Sequence, residues 1–296
     1  MKWYKLIFTQ NQPIHIGSLT WGVISETAIF IPGWTMWGAL TKQYVIYKDC
    51  SIEENQKYFE KITNFYPAIN QEDQLLFPAY EKGDFCLKNL YKNYNLSNKQ
   101  NPETEETYSE SEFRFKFVDS IMSTAVEPLS RKAKDESLHE FEYILPKSKP
   151  RLHESQIKLY WIGLIGLESD AEEMVKNFFE PCTMKVYIGA DSRYGFGELK
   201  LVGFKEADES ELEKWGIDKD GFCTINKNMN YLTQYLEFSP EIKFEGEIKL
   251  IADFDFTTNI PKVVCAKYYI NVGSKILDFD SDKKYQLYKG RFIKII

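Results

Sequence analysis

IFIPGWTMWGALTKQ, residues 29–43, joins a strand to a helix through a bare Pro-Gly turn, and the fold is read outward from it. The β-branched and aromatic run VISETAIFI (23–31) predicts a strand, which Pro32-Gly33 stops. WTMWGALTKQYVIY (34–47) then carries apolar residues at helical spacing, with Gly33 allowing the tight turn and Gly38 allowing close packing. A second helical pattern, SIEENQKYFEKITNFY (51–66), follows, and Ser51 with Glu54 has the spacing of a capping box.

Upstream, Lys2–Thr9 alternates as a strand. Downstream, residues 93–112 are polar, aperiodic and contain Pro102, which predicts a mobile insertion. FRFKFVDSIM (113–122) and SLHEFEYIL (137–145) read as paired strands joined by a basic loop, and IKLYWIGLIGL (157–167) as a strand buried on both faces. DAEEMVKNFFE (170–180) is a helix capped by Ser169, and TMKVYIG (183–189) and ELKLVGF (198–204) are strands around a glycine-rich connection. Strand, helix pair, two strands, helix, strand is the order of an α+β, ferredoxin-like or RRM-like unit with insertions, here residues 1–205. Residues 206–296 read as a short acidic helix followed by strands at 243–254, 262–272 and 285–296, a second, abbreviated β-rich unit.

Composition narrows the function classes. Hydrophobic residues make up 43% and charged residues 27%, the balance of a globular protein that keeps its charges in water. No apolar run is long enough to span a bilayer, and MKWYKLIFTQ has neither the apolar core nor the cleavage site of a signal peptide, so the expected location is the cytoplasm. Five scattered cysteines without a CxxC pair argue against disulfides and against a zinc site. A formal charge of −7 argues against indiscriminate coating of nucleic acid. The charge is uneven, though: NPETEETYSESE (101–112) holds five Glu, whereas SRKAK (130–134) is basic.

Three segments carry candidate chemistry. At the helix start, the Gly33 amide can meet a phosphate, Trp34 and Trp37 share a face that can stack bases, and Lys42 lies two turns along. The same tryptophans equally fit the core of an amphipathic helix. IGADSRYGFGELKL (188–201) offers Gly189, Gly195 and Gly197 for close approach of backbone amides to phosphate, Arg193 for pairing, and Tyr194 and Phe196 for stacking. It is neither a dinucleotide fingerprint nor a P-loop, and an irregular hairpin is the alternative. In the basic loop, Arg131, Lys132 and Lys134 can grip phosphates or simply face solvent.

Taken in order, the IPG turn with its xxxGAL helix start, the strand LHEFEYIL and the glycine-rich loop with an aromatic between its last two glycines resemble the RAMP superfamily over roughly residues 14–204. The resemblance implies an RRM-like fold and a non-catalytic subunit of a type III CRISPR effector complex that holds CRISPR RNA. The implied neighbours are other RAMP subunits and a large polymerase-like subunit, with target RNA met indirectly; no cofactor and no metal are implied. Subunits of this family that cut target RNA resemble one another in an Asp before the IPG helix. GSLTWGVISETAIF (17–30) has no Asp there, only Glu26, which places the chain nearer the group that caps the RNA's repeat-derived tag. The alternative is a RAMP endoribonuclease, either a target-cutting backbone subunit using Asp119, Asp135 or Asp191, or a processing enzyme using His15 as general acid or base.

Overall fold

The computed structural model describes residues 1–69, 74–89, 107–169, 171–224, 231–255, 260–278 and 285–295. β1 (Lys2–Gln10) leads to a short hairpin, β2 (Gly17–Trp21) and β3 (Ile24–Thr27), then to α1 (Gly33–Lys48), the single turn α2 (Ile52–Asn55) and β4 (Tyr66–Ile69). An insertion follows, made of β5 (Phe77–Glu81), β6 (Asp84–Lys88), β7 (Thr107–Ser109), α3 (Glu110–Phe117), β8 (Val118–Ser123) and β9 (His139–Ile144). β10 (Leu159–Leu167), α4 (Glu172–Phe179), β11 (Lys185–Tyr187) and β12 (Glu198–Glu206) complete the first unit of the sequence.

Five strands build one antiparallel sheet in the order β11-β12-β1-β10-β4. Without the hairpin partner β11 this is the fourth-first-third-second order of a ferredoxin-like sheet, with α1 and α4 as its crossovers. Alternation along β1 sends Tyr4, Leu6 and Phe8 into the core beneath the helices, where Met36, Leu40, Val175 and Phe179 meet them. Trp3 and Ile7 point to the opposite face.

That opposite face is covered as well. After α5 (Glu209–Lys214) come β13 (Tyr235–Glu237), β14 (Lys243–Glu245), β15 (Ile248–Asp255), β16 (Lys262–Ile270), β17 (Lys275–Asp278), β18 (Tyr285–Tyr288) and β19 (Arg291–Lys294). They form a second sheet, ordered β15-β16-β13-β19-β18, and a separate β14-β17 pair. The second sheet repeats the strand scheme of the first, except that β13 and β19 run parallel where β1 and β12 are antiparallel. Trp215, Tyr235, Leu236, Ile270, Leu287 and Phe292 pack through it onto Trp3, Ile7, Tyr66, Ile162 and Leu164. Burial on both faces is why IKLYWIGLIGL reads as an unbroken apolar run.

Several sequence expectations are corrected. FRFKF (113–117) is helical: its alternation imitates a strand, but Phe113 and Phe117, four apart, are buried while Phe115 is exposed. A capping box starts this helix. The Ser109 hydroxyl accepts the Glu112 amide at 3.2 Å, and the Glu112 carboxylate accepts the Ser109 amide at 2.9 Å. The box expected at Ser51 is not made, because Ser51 forms no side-chain cap bond. Helix 51–66 ends early, in a 3-10 turn at Gln56–Phe59, since Thr63 and Phe65 are drawn into ladders with Leu164 and Ile31. Ser169 does not cap α4, whose N-cap is Ala171. Of the expected insertion at 93–112, residues 93–106 lie outside those described, and 107–112 form β7 and the start of α3. Residues 243–254 and 285–296 hold two strands each rather than one. Among the described residues no helix is long and apolar enough to cross a membrane.

Candidate nucleic-acid interface

The start of α1 faces inward. The Gly33 amide donates to the Asn64 Oδ1 at 2.8 Å in a buried bond, and a Cβ on Gly33 would lie 2.5 Å from the Gly290 nitrogen. Trp34 packs on Tyr235, with ring centroids 5.3 Å apart, and the Arg291 guanidinium lies 5.7 Å from its ring. Trp37 donates through Nε1 to the Gln56 carbonyl at 2.9 Å, and the Lys289 Nζ sits 3.5 Å over its ring. Burial there holds the Lys289 ammonium below its usual range despite the neighbouring Glu60. The phosphate site expected at Gly33 and the stacking faces expected at Trp34 and Trp37 are thus taken up in joining α1 to the β18-β19 turn. Lys42 remains exposed on α1. Gly38 is not a close-packing position, as a Cβ there would meet nothing within 4 Å.

The glycine-rich loop is a clamped turn with an exposed tip. Gly189 and Gly197 have φ of +72° and +96°, and a Cβ on either would collide with the carbonyl of His15 or Ile188. Their neighbourhood is laced to the strand-exit segment 13–15: Gly197 donates to the Pro13 carbonyl at 2.8 Å, and Ala190 to that of His15 at 3.1 Å. Phe196 does not offer a free stacking face. It packs edge-on against Phe141 and Tyr143, 5.5 Å from each, and so locks the loop to β9. What the loop exposes is Arg193 and Tyr194, the latter at 82%, on a 3-10 turn (Ser192–Tyr194). Gly195 follows with φ +88° and open space around it. A valine there would be strained by backbone alone, so Gly195→Asn, which tolerates this region, is the cleaner probe.

Glu198 holds the loop's far end, accepting from the Asn11 Nδ2 at 2.8 Å, the Lys185 Nζ at 2.9 Å and the Tyr187 hydroxyl at 3.0 Å. The Asn11 bond and then the Lys185 bond hold its carboxyl below the usual range. Glu198→Gln is expected to cost about 2 kcal/mol in urea unfolding at neutral pH. A depressed carboxylate stabilises above its unfolded pKa and loses that contribution as pH falls through the folded value. The gap between the two proteins should therefore close as pH drops below about 4.

β8 and β9 extend beyond the body as an arm. Pairing continues past the strands through Lys134–Ala125 and Glu127–Lys132 backbone bonds and the Val126–Ala133 bridge, to a tip at 127–132. Arg131, Lys132 and Lys134 are all exposed there and make no ion pair among the described residues. The glycine-rich loop meets the base of the arm at the Phe141–Tyr143–Phe196 contact, while Arg131, Lys132 and Lys134 lie farther out toward its tip and the helix start is elsewhere. Trp21 escaped the sequence reading. It stands 66% exposed at the turn of the β2-β3 hairpin, in one cross-strand row with Ile24, Glu140 and Met122. The signal was the Trp-Gly pair between two short runs of hydroxyl and β-branched residues.

The acid–base candidates are placed less favourably. His15 is 6% exposed, and its Nδ1 lies 2.6 Å from the Glu142 carbonyl, which fits an anchoring ring rather than a proton shuttle. Asp119 lies 3.9 Å from Lys149, Asp135 is exposed, and Asp191 opens the glycine-rich turn in a left-handed conformation. Glu26 lines a cleft of about 430 Å³ with Asp84, Glu110, Arg114 and Lys249. Arg114 is occupied there, bound to Glu110, to Glu142 and to the Thr27 carbonyl. Among the described residues no group of three or more His, Cys, Asp and Glu side chains is set to hold a metal ion.

No family model matches the sequence, and no curated protein matches it. Solved structures do resemble the fold. A chain in the cryo-EM structure of the type III-B Cmr-beta bound to cognate target RNA and AMPPnP, state 1, superposes with a TM-score of 0.57 at 14% identity. The likeness covers 94% of this chain and 90% of that one. A chain in the Cmr-beta structure bound to cognate target RNA gives 0.56 at 12% identity, over 98% and 99% of the two chains. The ferredoxin-like fold expected from the sequence is the fold observed, and these chains share it.

Proposed function

We propose, on the premise of a fold shared along its whole length with chains of RNA-bound type III-B assemblies, that this protein is an RNA-holding, non-cutting subunit of a type III CRISPR effector complex. The end-to-end likeness carries the reading. Local cations support it. In a chain of net charge −7, Arg131, Lys132 and Lys134 stand exposed on the arm beside Glu127, Asp135 and Glu136, and Arg193 on the turn that Phe196 ties to the arm's base. None of the four cations is ion-paired among the described residues. CRISPR RNA is the ligand this surface suits. Further RAMP subunits and a large polymerase-like subunit are its neighbours, with target RNA met through them. Residues 1–205 are read as the RNA-facing RRM-like unit, and 206–296 as a second unit whose sheet backs the first.

The test is the salt dependence of CRISPR RNA binding by the assembled complex. Arg131, Lys132, Lys134 and Arg193 changed together to Gln should make log K against log[salt] shallower by about 3, near 0.7 per lost contact to a single strand. The melting temperature should hold, since exposed substitutions of this kind shift stability by within about 0.5 kcal/mol. An unchanged slope in a folded variant would remove these residues from the RNA surface.

One observation favours a second reading, that of a target-cutting subunit: Glu26 faces a cleft with Asp84 and Glu110. Glu26→Ala is expected to leave every target cleavage site of the complex intact. Loss of one site with assembly preserved would assign cutting to Glu26.

A further inference from the structure

We infer that the outward face of the β15-β16 ribbon is a docking surface for an apolar patch on a different protein subunit of the same assembly, an inference that rests on the reading above. In β15, Ile248, Leu250, Ala252 and Phe254 alternate onto one face. In β16, Tyr268 lies opposite Leu250, Ala266 opposite Ala252 and Val263 opposite Phe254, and the bulge at Asp253/Phe254 adds Val264 to the same side. The face carries no charge along its length. Its large side chains are open to solvent, from Ile248 at 45% to Val264 at 69%.

The other face shows that the ribbon is held, not frayed. Ile251 and Tyr269 are buried in the core, Asp253 is bonded to Arg291 at 3.0 Å and 3.1 Å, and Lys267 pairs with Glu237 at 2.8 Å. A ribbon fixed on one side therefore presents a rigid apolar strip on the other, with β15 as the unpaired edge of its sheet. Monomeric proteins seldom leave a strip of this kind uncovered.

Chemistry selects the occupant. RNA is excluded because the strip offers phosphates no cation, in contrast to the arm tip. A second copy is disfavoured by area and charge. Half-exposed side chains of these types leave on the order of 600 Å² of apolar surface, so two strips face to face only just reach the roughly 1,200 Å² of a small specific interface. Each copy also carries a net charge of −7. A different protein is not held to a two-fold contact of strip on strip, so it can cover the rim as well and need not share this chain's negative charge.

The complex, purified through a tag on this chain, and the chain alone are compared by hydroxyl-radical footprinting, before and after RNase digestion. Modification of Leu250, Phe254 and Tyr268 is expected to fall at least fivefold in the complex and to stay low after digestion. Leu250→Asp with Val264→Asp should leave the melting temperature of the isolated chain unchanged and release a protein subunit, whereas Leu250→Ile should release none. Equal modification in an RNA-bearing complex overturns the docking surface alone, as does protection that RNase removes. Protection arising from dimerisation of the isolated chain overturns the choice of a different subunit. A tagged chain that brings down no discrete RNA overturns the proposed function instead.

Discussion

Gly33→Val is expected to cost at least about 3 kcal/mol, whereas Gly38→Ala, five positions along the same helix, should add up to about 1 kcal/mol. Both sit in α1, and a propensity argument would treat them alike. Their surroundings differ. A Cβ on Gly33 would lie 2.5–2.8 Å from the backbone of Lys289 and Gly290, which cannot turn aside as a side-chain tip would. The β18-β19 turn would have to lift from the helix start, unseating Lys289 from Trp37 and Arg291 from Trp34. Gly38 has nothing within 4 Å, so alanine there only removes the excess freedom of glycine in the unfolded chain. Urea unfolding of the two variants settles the matter. A Gly33→Val loss below about 1 kcal/mol would mean that the turn does not rest on the helix as described.

Asn64→Leu should be comparably damaging, at about 3 kcal/mol, though it keeps the number and branching of the side chain's heavy atoms. Its side chain accepts from Gly33 at 2.8 Å and donates to the carbonyls of Thr233 at 3.3 Å and Gly290 at 3.2 Å, all in the interior. Leucine leaves the buried Gly33 amide without a partner, a penalty of about 1–3 kcal/mol. It also takes one of two donors from each carbonyl, Thr233 keeping the Tyr66 hydroxyl and Gly290 the Tyr235 amide. Because Gly33 and Asn64 serve one junction, the double variant should cost clearly less than the two single losses added together. Full additivity, measured by the same unfolding curves, would show two independent sites.

The architecture was legible wherever periodicity and burial agree. β1, α1, β10, α4 and β12 were found because each has one clear core-facing pattern, and β10 because two buried faces make it uniformly apolar. FRFKF misled because a period of two and a period near four both fit Phe113 and Phe117, and only the Ser109–Glu112 cap, read as part of a solvated loop, separates them. The site was half legible. Arg193, Tyr194, Arg131, Lys132 and Lys134 are exposed as their composition suggested. Gly33, Trp34, Trp37 and Phe196 look the same in sequence, yet each is engaged by groups far along the chain: Asn64, Arg291, Lys289, and the pair Phe141 and Tyr143. No local pattern reveals a partner 250 residues away, and a tryptophan facing a lysine in the core has the same letters as one facing a base.

The central place of β1 has a consequence for how the chain is made. Tyr4 pairs with Ile165 on one side and with Glu206 on the other, and Trp3 is finally enclosed by a sheet that ends near Lys294. β1 thus leaves the ribosome long before either strand that pairs with it, and before the sheet that covers its other face. Loop closure on this scale gives a high contact order and slow folding, and during synthesis WYKLIF (3–8) stays an open, apolar edge able to pair with any strand at hand. Yield in a heterologous host should then follow translation speed and chaperone supply more closely than the equilibrium stability of the finished protein.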